Sequence, residues 1–208
     1  MITIIDYGMG NLRSVQKALE RLGYEAKVTS SVADVLDASH LILPGVGAFG
    51  AAMVNLDKLG LVEPIRKVAA SGRPFLGICL GMQLILTESE EMGDFRGLDI
   101  VKGKVLRFFQ EGDRNEKTGA LKVPHMGWNS LDIRKPGPLL ADTPEGAMVY
   151  FVHSYYAAPT EDVVAATTGY GVDFCSAIWK DNVIATQFHP EKSGSIGLAM
   201  LRNFGELE

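Results

Sequence analysis

Short apolar runs and helical patterns alternate along the first half of the chain. Residues 2–5 are mostly apolar and predict a buried strand, after which Leu12, Val15 and Leu19 recur at steps of three and four. That spacing is typical of a helix with one face turned toward a sheet. Further strand and helix patterns follow at 24–28, 33–36, 41–43, 49–71, 74–78 and 80–86. Strands that alternate with helices favour a parallel sheet with crossover helices.

The second half of the chain changes to strand patterns with turn residues between them, and one closing helix pattern spans 196–204. The strand patterns suit antiparallel additions to a mixed sheet. They lie at 105–109, 148–156, 163–168, 175–179 and 183–188. The polar stretch 111–119 is expected to form an exposed loop. We therefore predict one α/β domain over residues 1–208, with an open, mixed, mainly parallel sheet and flanking helices.

The composition of the 208 residues excludes several classes of protein. Hydrophobic residues make up 47% and charged residues 22%, which is normal for a globular protein. Lys and Arg number 20 against 25 Asp and Glu, and the net charge of -5 argues against binding to nucleic acid or an acidic membrane. Gly, Pro or a charged residue interrupts every long apolar stretch, so no membrane span is expected.

The chain has two cysteines, Cys79 and Cys175, far apart in the sequence. Its first residues show neither the positive charge nor the small-residue cleavage site of a secretory signal, so we expect a cytoplasmic protein with reduced thiols. Cys175 lies within an apolar strand pattern, which favours a role in core packing.

Cys79 is the centre of the segment Gly-Ile-Cys-Leu-Gly at 77–81, between a predicted strand and a predicted helix. Flanking glycines in this setting permit the strained turn of a nucleophile elbow, which presents one nucleophilic side chain at the carboxyl end of a strand. The helix N-terminus would favour the thiolate of Cys79, and the N–H of Leu80 could stabilise an oxyanion. The alternative is a buried structural cysteine in a tight strand–helix turn.

The tripeptide His189-Pro190-Glu191 offers the base that a thiol nucleophile requires. Pro190 favours an extended conformation at His189, and in an extended chain residues i and i+2 project to the same side. The Glu191 carboxylate could then orient one ring nitrogen of His189 while the other faces out. A surface turn is the alternative for the tripeptide alone, but together with the cysteine elbow it supplies nucleophile, base and orienting group.

The remaining histidines and one glycine cluster give no case for a metal or a nucleotide cofactor. His40, His125 and His153 show no zinc-site spacing with the cysteines, so we expect no metal ion. The cluster Gly-Met-Gly at 8–10 follows a strand and opens a helix, but Arg13 stands where a dinucleotide-binding fingerprint requires its third glycine. No cofactor is therefore predicted.

A second glycine cluster, Pro-Gly-Val-Gly at 44–47, ends the third predicted strand. If the strands are parallel, it lies at the same edge of the sheet as Cys79. Its N–H groups could supply a second oxyanion donor, and a plain strand-to-helix turn is the equally weighted alternative.

These motifs together resemble the class I glutamine amidotransferases, triad-type glutaminases of flavodoxin-like fold that release ammonia from glutamine. The resemblance rests on 77–83, 189–193 and 44–47, and it extends over nearly the whole chain. It implies that Cys79 attacks the side-chain amide of L-glutamine, that His189 transfers protons and that Glu191 orients His189. It also implies an oxyanion hole and a substrate-binding set. The oxyanion hole comprises Leu80 with Val46 or Gly47, and the binding set comprises Gly45, Gly47, Gln83, Ser154 and Tyr155, with Glu91 as a weaker candidate.

Within this family, segments 5–12, 124–129 and 150–155 resemble those of members that pass ammonia to a second protein, a (β/α)8-barrel cyclase subunit. The resemblance implies a lone subunit with little glutaminase activity, because the oxyanion strand rearranges when the partner binds. Two alternatives stay open: a glutaminase of the same class in anthranilate, guanylate or pyridoxal phosphate synthesis, and a catalytically idle scaffold domain. The interface residues implied for the heterodimer are Tyr7, Met9, Asn11, His125, Met126 and Trp128.

Overall fold

The computed structural model describes residues 1–109 and 121–208, and the loop predicted at 111–119 lies outside this part of the chain. The strands are β1 (Ile2–Ile5), β2 (Ala26–Thr29), β3 (His40–Gly45), β4 (Phe75–Cys79), β5 (Glu88–Ser89), β6 (Phe95–Arg96), β7 (Gly103–Arg107), β8 (His125–Ser130), β9 (Asp132–Ile133), β10 (Met148–His153), β11 (Tyr155–Pro159), β12 (Val164–Gly169), β13 (Asp173–Lys180) and β14 (Val183–Thr186). The α-helices are α1 (Leu12–Arg21), α2 (Val32–Leu36), α3 (Phe49–Lys58), α4 (Val62–Ala69), α5 (Leu80–Leu84) and α6 (Gly194–Gly205). Short 3-10 helices span Pro138–Leu140 and Pro190–Lys192.

One mixed sheet of 12 strands organises the described part of the chain. One half is wholly parallel, in the order β2-β1-β3-β4-β14, and the antiparallel strands β13, β11 and β7 continue it. Strand β14, near the end of the chain, lies between β4 and β13 in the interior of the sheet. Strands β8 and β10 form a separate antiparallel pair. The predicted open, mixed α/β sheet is confirmed.

Helices cover the parallel half on both faces. Helix α1 buries Val15 and Leu19 on one face, and Phe204 of α6 belongs to the same apolar cluster. On the other face, Leu56 of α3 and Ile65 of α4 belong to a second cluster. Successive side chains of each strand therefore pack alternately into two apolar cores, one on each face of the sheet. Among the described residues, no helix has the length and apolar character needed to cross a membrane.

Several strands differ from the sequence pattern: the short strands β5, β6 and β9 were not predicted, and three further differences have identifiable causes. The strand predicted at 24–28 begins at Ala26, because the N–H of Tyr24 still bonds to the carbonyl of Leu19 at the end of α1. The strand predicted at 148–156 breaks at Ser154, where the chain passes from the β8–β10 pair into the main sheet. Strand β8 was not predicted, because its Met, Gly and Trp do not read as alternation of apolar and polar residues.

Candidate active site

Cys79 lies at a strained turn between β4 and α5. Its φ angle is +55°, in the left-handed region that side chains other than glycine rarely adopt. The flanking Gly81 is required by close packing, because a Cβ there would overlap the carbonyl oxygen of Leu43 in the neighbouring strand. Cys79 itself is buried, with 5% of its surface exposed. The local geometry of a nucleophile elbow, predicted from the glycine spacing, is therefore present.

Strand register brings two segments to the sides of this turn. Gly45 at the end of β3 pairs with Cys79, so Val46 and Gly47 follow directly beside the sulfur-bearing residue. Gly47 has a φ of +102°, a conformation that favours glycine. On the other side, Thr186 of β14 pairs with Ile78, and the next residue is Gln187. Parallel strands thus deliver three chain segments to one edge of the sheet.

His189 and Glu191 form a buried pair. Nδ1 of His189 lies 2.8 Å from Oε1 of Glu191, and their side chains are 3% and 1% exposed. The predicted contact is present and His189 itself is extended as predicted, but Pro190–Lys192 forms a 3-10 turn, so the chain is not extended through to Glu191. The Ser193 hydroxyl fixes this turn: it donates to the His189 carbonyl and accepts from the N–H of Tyr150.

The environment of His189 favours its protonated form. Burial alone would lower the pKa of His189, but the Cys79 sulfur and the Glu191 carboxylate outweigh burial and raise the pKa to about 10. Nε2 of His189 is buried and has no hydrogen bond of good geometry within the described residues, although the sulfur is near enough to act on its pKa. His189 therefore holds its proton at neutral pH, in the position of an acid toward a group attached to Cys79.

A cavity of about 260 Å³ opens beside Cys79. Most of the predicted site residues line this cavity. Gly45, His189 and Glu191 do not, and Gly45 has the Tyr7 hydroxyl close to its Cα. The volume suits one small substrate with a few polar contacts. The lining residues are Val46, Gly47, Cys79, Leu80, Gln83, Glu91, Val152, His153, Ser154 and Tyr155.

Several of these wall residues have polar groups fixed by hydrogen bonds. Gln83 uses Nε2 as donor to the Tyr155 carbonyl at 2.9 Å and to Oε1 of Gln187 at 3.1 Å, so its Oε1 is the group it can offer a ligand. The Tyr155 carbonyl also accepts from Nδ1 of His153, and the Ser154 carbonyl accepts from the N–H of Phe108. The carbonyls of Ser154 and Tyr155 are therefore already engaged.

Glu91 lies in the same wall with one oxygen in use. Its Oε2 accepts from the N–H of Phe49 at 2.7 Å, at the first residue of α3. A carboxylate at this end of a helix complements the positive end of the helix dipole. Glu91 therefore presents its other oxygen, Oε1, as the remaining acceptor.

Sequence reasoning missed Gln187. This residue is fully buried, and its Nε2 donates to the Cys79 sulfur at 3.7 Å. The sulfur also lies 3.9 Å from the carbonyl of Val152, which accepts only from the thiol form. A signal was available, because Gln187 lies two residues before His189 and the strand period places i and i+2 on one side.

His125 and His153 are buried and in contact, with 2.9 Å between Nδ1 of His125 and Nε2 of His153. Burial lowers the pKa of His125 to about 4 and that of His153 to about 3. Both rings are therefore neutral at physiological pH. The described residues contain no group of three or more His, Cys, Asp or Glu side chains that could hold a metal ion.

The residues proposed for a partner interface fall into two groups. Tyr7 is 2% exposed and His125 is 3% exposed, so both side chains are turned into the chain in this conformation. Met126 and Trp128 are 63% and 53% exposed. The reason is the alternation along β8, which turns His125 inward and Met126 and Trp128 outward. Met9 and Asn11 are half-buried and exposed, respectively.

A larger cavity, of about 600 Å³, lies at the opposite edge of the sheet, before β14. Its cations are engaged: Arg66 pairs with Glu63, and Lys180 pairs with Glu161. It contains neither cysteine nor histidine, so the smaller cavity carries the chemistry.

Comparisons with known proteins agree with this site. The model of a family described as glutamine amidotransferase class-I matches residues 3–206. The protein called imidazole glycerol phosphate synthase subunit HisH is 60% identical in Geobacter sulfurreducens, over 100% of this chain and 99% of that protein. The protein of the same name in Syntrophotalea carbinolica is 58% identical over 100% of both. A solved structure described as a glutamine amidotransferase, 20% identical, has a TM-score of 0.72 over 99% of this chain and 100% of that one.

Proposed function

The chain belongs to the class-I glutamine amidotransferase family, and from that membership we propose that it is the glutaminase subunit of an imidazole glycerol phosphate synthase. It hydrolyses L-glutamine and supplies ammonia to a cyclase subunit in histidine biosynthesis. The observation that carries the chemistry is the cavity beside Cys79, backed by the buried His189–Glu191 pair. No cofactor is part of this proposal.

The first half of the reaction forms a thioester. The Cys79 thiolate attacks the side-chain carbonyl carbon of glutamine, and the carbonyl oxygen becomes an oxyanion. His189, protonated at neutral pH, donates a proton to the amide nitrogen as the carbon–nitrogen bond breaks, so ammonia leaves. Glu191 holds the ring of His189 in the orientation that this transfer requires.

The second half releases glutamate. Neutral His189 takes a proton from water, the resulting hydroxide attacks the thioester carbon, and the carbon–sulfur bond breaks to restore the Cys79 thiolate. The N–H groups of Leu80 and of Val46 or Gly47 stabilise the oxyanion in both steps. Oε1 of Gln83 and Oε1 of Glu91 are suited to the α-ammonium of glutamine.

The outward face of the β8–β10 pair is proposed as the main cyclase-docking surface. It exposes Met126, Trp128 and Met148, apolar side chains of the types that interfaces favour. Met9 and Asn11 extend the surface, and Met9 packs against Gly47 of the oxyanion strand. We propose a (β/α)8-barrel partner, a heterodimer and a cytoplasmic location on the sequence resemblance.

A pair of cysteine variants tests the glutaminase assignment. Cys79→Ala is expected to abolish glutamate release, because it removes the nucleophile, and to leave folding and cyclase binding intact. Cys175→Ala is the matched control, since Cys175 is a second buried thiol whose pKa burial raises to about 12. The measurement is glutamate release in the presence of cyclase. Glutaminase activity that survives Cys79→Ala would show that the triad assignment is wrong.

The pathway is tested by the choice of partner. The wild-type chain should co-purify with an imidazole glycerol phosphate cyclase, and a ribonucleotide ligand of that cyclase should stimulate its glutaminase activity. The lone chain is expected to be a poor glutaminase. Full activity without cyclase, or stimulation only by a synthase of anthranilate, guanylate or pyridoxal phosphate, would contradict the assignment.

A further inference from the structure

A hydrogen-bonded path of side chains runs inward from β8. Asn129 Nδ2 lies 3.3 Å from Nε2 of His125, Nδ1 of His125 lies 2.9 Å from Nε2 of His153, and Nδ1 of His153 lies 2.8 Å from the Tyr155 carbonyl. A carbonyl only accepts, so Nδ1 of His153 carries the proton. Because both rings are neutral, only one pattern fits: Asn129 donates to His125, and His125 donates to His153.

The path continues on the other side of the Tyr155 carbonyl. Nε2 of Gln83 donates both to this carbonyl and to Oε1 of Gln187. With Oε1 of Gln187 thus accepting, its Nε2 must face the Cys79 sulfur, 3.7 Å away. The orientation of the Gln187 amide is therefore set by Gln83 on α5, and the Gln83 amide is in turn oriented by the Tyr155 carbonyl of β11. His153 and Gln83 both donate to that carbonyl, so the sense of the hydrogen bonds reverses there and the two halves of the path share one acceptor.

We propose that Gln187 is a positioning residue for the nucleophile, and that the amide–imidazole chain fixes its amide from the β8–β10 side. The amide–imidazole chain consists of Asn129, His125, His153, the Tyr155 carbonyl, Gln83 and Gln187. This inference deepens the proposed glutaminase function and rests on it for the kinetic measurements only.

Two of the neighbours of the sulfur favour opposite states of Cys79. The Val152 carbonyl accepts a hydrogen bond from the thiol, whereas the N–H of Gln187 donates a hydrogen bond to the sulfur that is stronger when the sulfur is a thiolate. An amide turned over by half a rotation would put an oxygen there and disfavour the thiolate. The Gln83 contact prevents that rotation, because it requires an acceptor at Oε1 of Gln187.

Gln187 lies outside the wall of the 260 Å³ cavity and is fully buried. It therefore acts on Cys79 without touching the substrate, and its loss is expected to change kcat rather than KM. Gln83, which lines the cavity, is expected to influence both.

The β8–β10 pair has two faces with different tasks. Met126 and Trp128 point outward to the proposed docking surface, and His125 points inward to the amide–imidazole chain. The His125 ring is held between Phe151 and Tyr170, with centroids 4.9 and 4.0 Å away. A shift of the pair on docking therefore carries His125 with it and reaches the Cys79 sulfur through hydrogen bonds.

Substitution of Gln187 in the full-length chain tests its role at the sulfur. Gln187→Glu keeps an acceptor for Gln83 but presents an oxygen to the sulfur, so the pH midpoint of Cys79 alkylation by iodoacetamide should rise by about one unit. Gln187→Leu should lower kcat about tenfold with KM changed less than about twofold. Gln16→Leu on α1, whose amide bonds the Ala26 carbonyl, is the matched control and should change neither.

The alkylation experiment does not depend on glutaminase activity. If the wild-type chain released no glutamate but the alkylation midpoint moved in Gln187→Glu, the proposed function would fail and the positioning role would stand. An unchanged midpoint in Gln187→Glu overturns the positioning role, as does an unchanged kcat in Gln187→Leu. If Gln187→Leu does not fold, the Gln187→Glu midpoint decides alone.

His125→Phe tests the far end of the amide–imidazole chain. Phenylalanine keeps the stacking between Phe151 and Tyr170 but removes the donor to His153. We expect kcat to fall severalfold, and the double variant with Gln187→Glu to be no slower than the slower single variant, because both act through one amide. Independent, multiplying effects, or an unchanged kcat in His125→Phe, would overturn the coupling.

Discussion

His189 and the His125–His153 pair show how one residue type responds to two buried environments. All three rings are nearly inaccessible, yet the pKa of His189 is raised to about 10 and those of His125 and His153 are lowered to about 4 and 3. His189 has a carboxylate and a sulfur beside it, whereas the pair has an imidazole and an amide as neighbours. Burial therefore decides the direction of the pKa shift of a histidine only where no anion lies beside the ring.

The difference in protonation state gives His189 and the His125–His153 pair different functions. A protonated His189 can supply an acid next to the nucleophile, while two neutral rings with fixed tautomers can only transmit orientation. The regions also respond to pH in opposite ways. The stabilisation from His189 is complete below about pH 6.5 and is lost as the pH rises through about 10. The pair destabilises the fold as the pH falls from about 6.5 toward 4.

The largest effect is expected for Glu191→Gln, which removes the anion beside His189 and with it the difference between His189 and the other buried histidines. The pKa of His189 should fall toward those of the other buried rings, and the amide should favour a wrong tautomer, so kcat should drop by about 10³- to 10⁴-fold. Steady-state glutaminase assays with cyclase present measure this. Glu90→Gln, at an exposed carboxylate, is the control and should keep activity near wild type. A loss below tenfold in Glu191→Gln would argue against an orienting role for Glu191.

The dependence of the free energy of unfolding on acid pH tests the lowered pKa values of His125 and His153. Between pH 6.5 and 4.5, the unfolded chain takes up protons that the buried pair does not, so the free energy of unfolding should fall as the pH falls. His125→Phe should reduce this slope by up to about 1.4 kcal/mol per pH unit, since one such histidine is removed. Urea unfolding at several pH values measures the slope. Identical slopes in wild type and His125→Phe would mean that His125 titrates normally.

The smallest expected effect concerns the anchor of His189. Ser193→Ala removes the hydroxyl that joins the His189 carbonyl to the N–H of Tyr150, and should cost about 1–2 kcal/mol of stability. A severalfold fall in kcat should accompany it, because the base loses its fixed position. Ser30→Ala, at an exposed serine that follows β2, serves as control in both thermal unfolding and activity. Equal stability of the two variants would remove the anchoring role.

The local geometry at Cys79 and at His189 could be predicted from the sequence because it involves near neighbours in the chain. The Gly-Ile-Cys-Leu-Gly spacing specifies a turn at Cys79, and His189 reaches Glu191 across a single proline. His189 is extended as predicted, but the chain continues from Pro190 as a 3-10 turn, which gives the same contact with Glu191 as an extended chain would. Contacts between near neighbours in sequence are often compatible with more than one backbone conformation.

The amide–imidazole chain could not be predicted, because its contacts join distant positions. Gln187 meets Gln83 across 104 residues and Cys79 across 108, and which side chains meet depends on strand register. The break at Ser154, which separates β10 from β11, has no distinct signal in an otherwise apolar stretch. Without that break, His153 could not be placed next to the cavity.

The interior position of β14 has a consequence for biosynthesis. Because this strand fills the gap between β4 and β13, a nascent chain that ends before residue 183 exposes unpaired edges on both of those strands. It also has the thiol of Cys79 but not yet the imidazole of His189 or the amide of Gln187. Translation must therefore pass residue 189 before Cys79 acquires these partners, and the open edges of the sheet are exposed to aggregation until then.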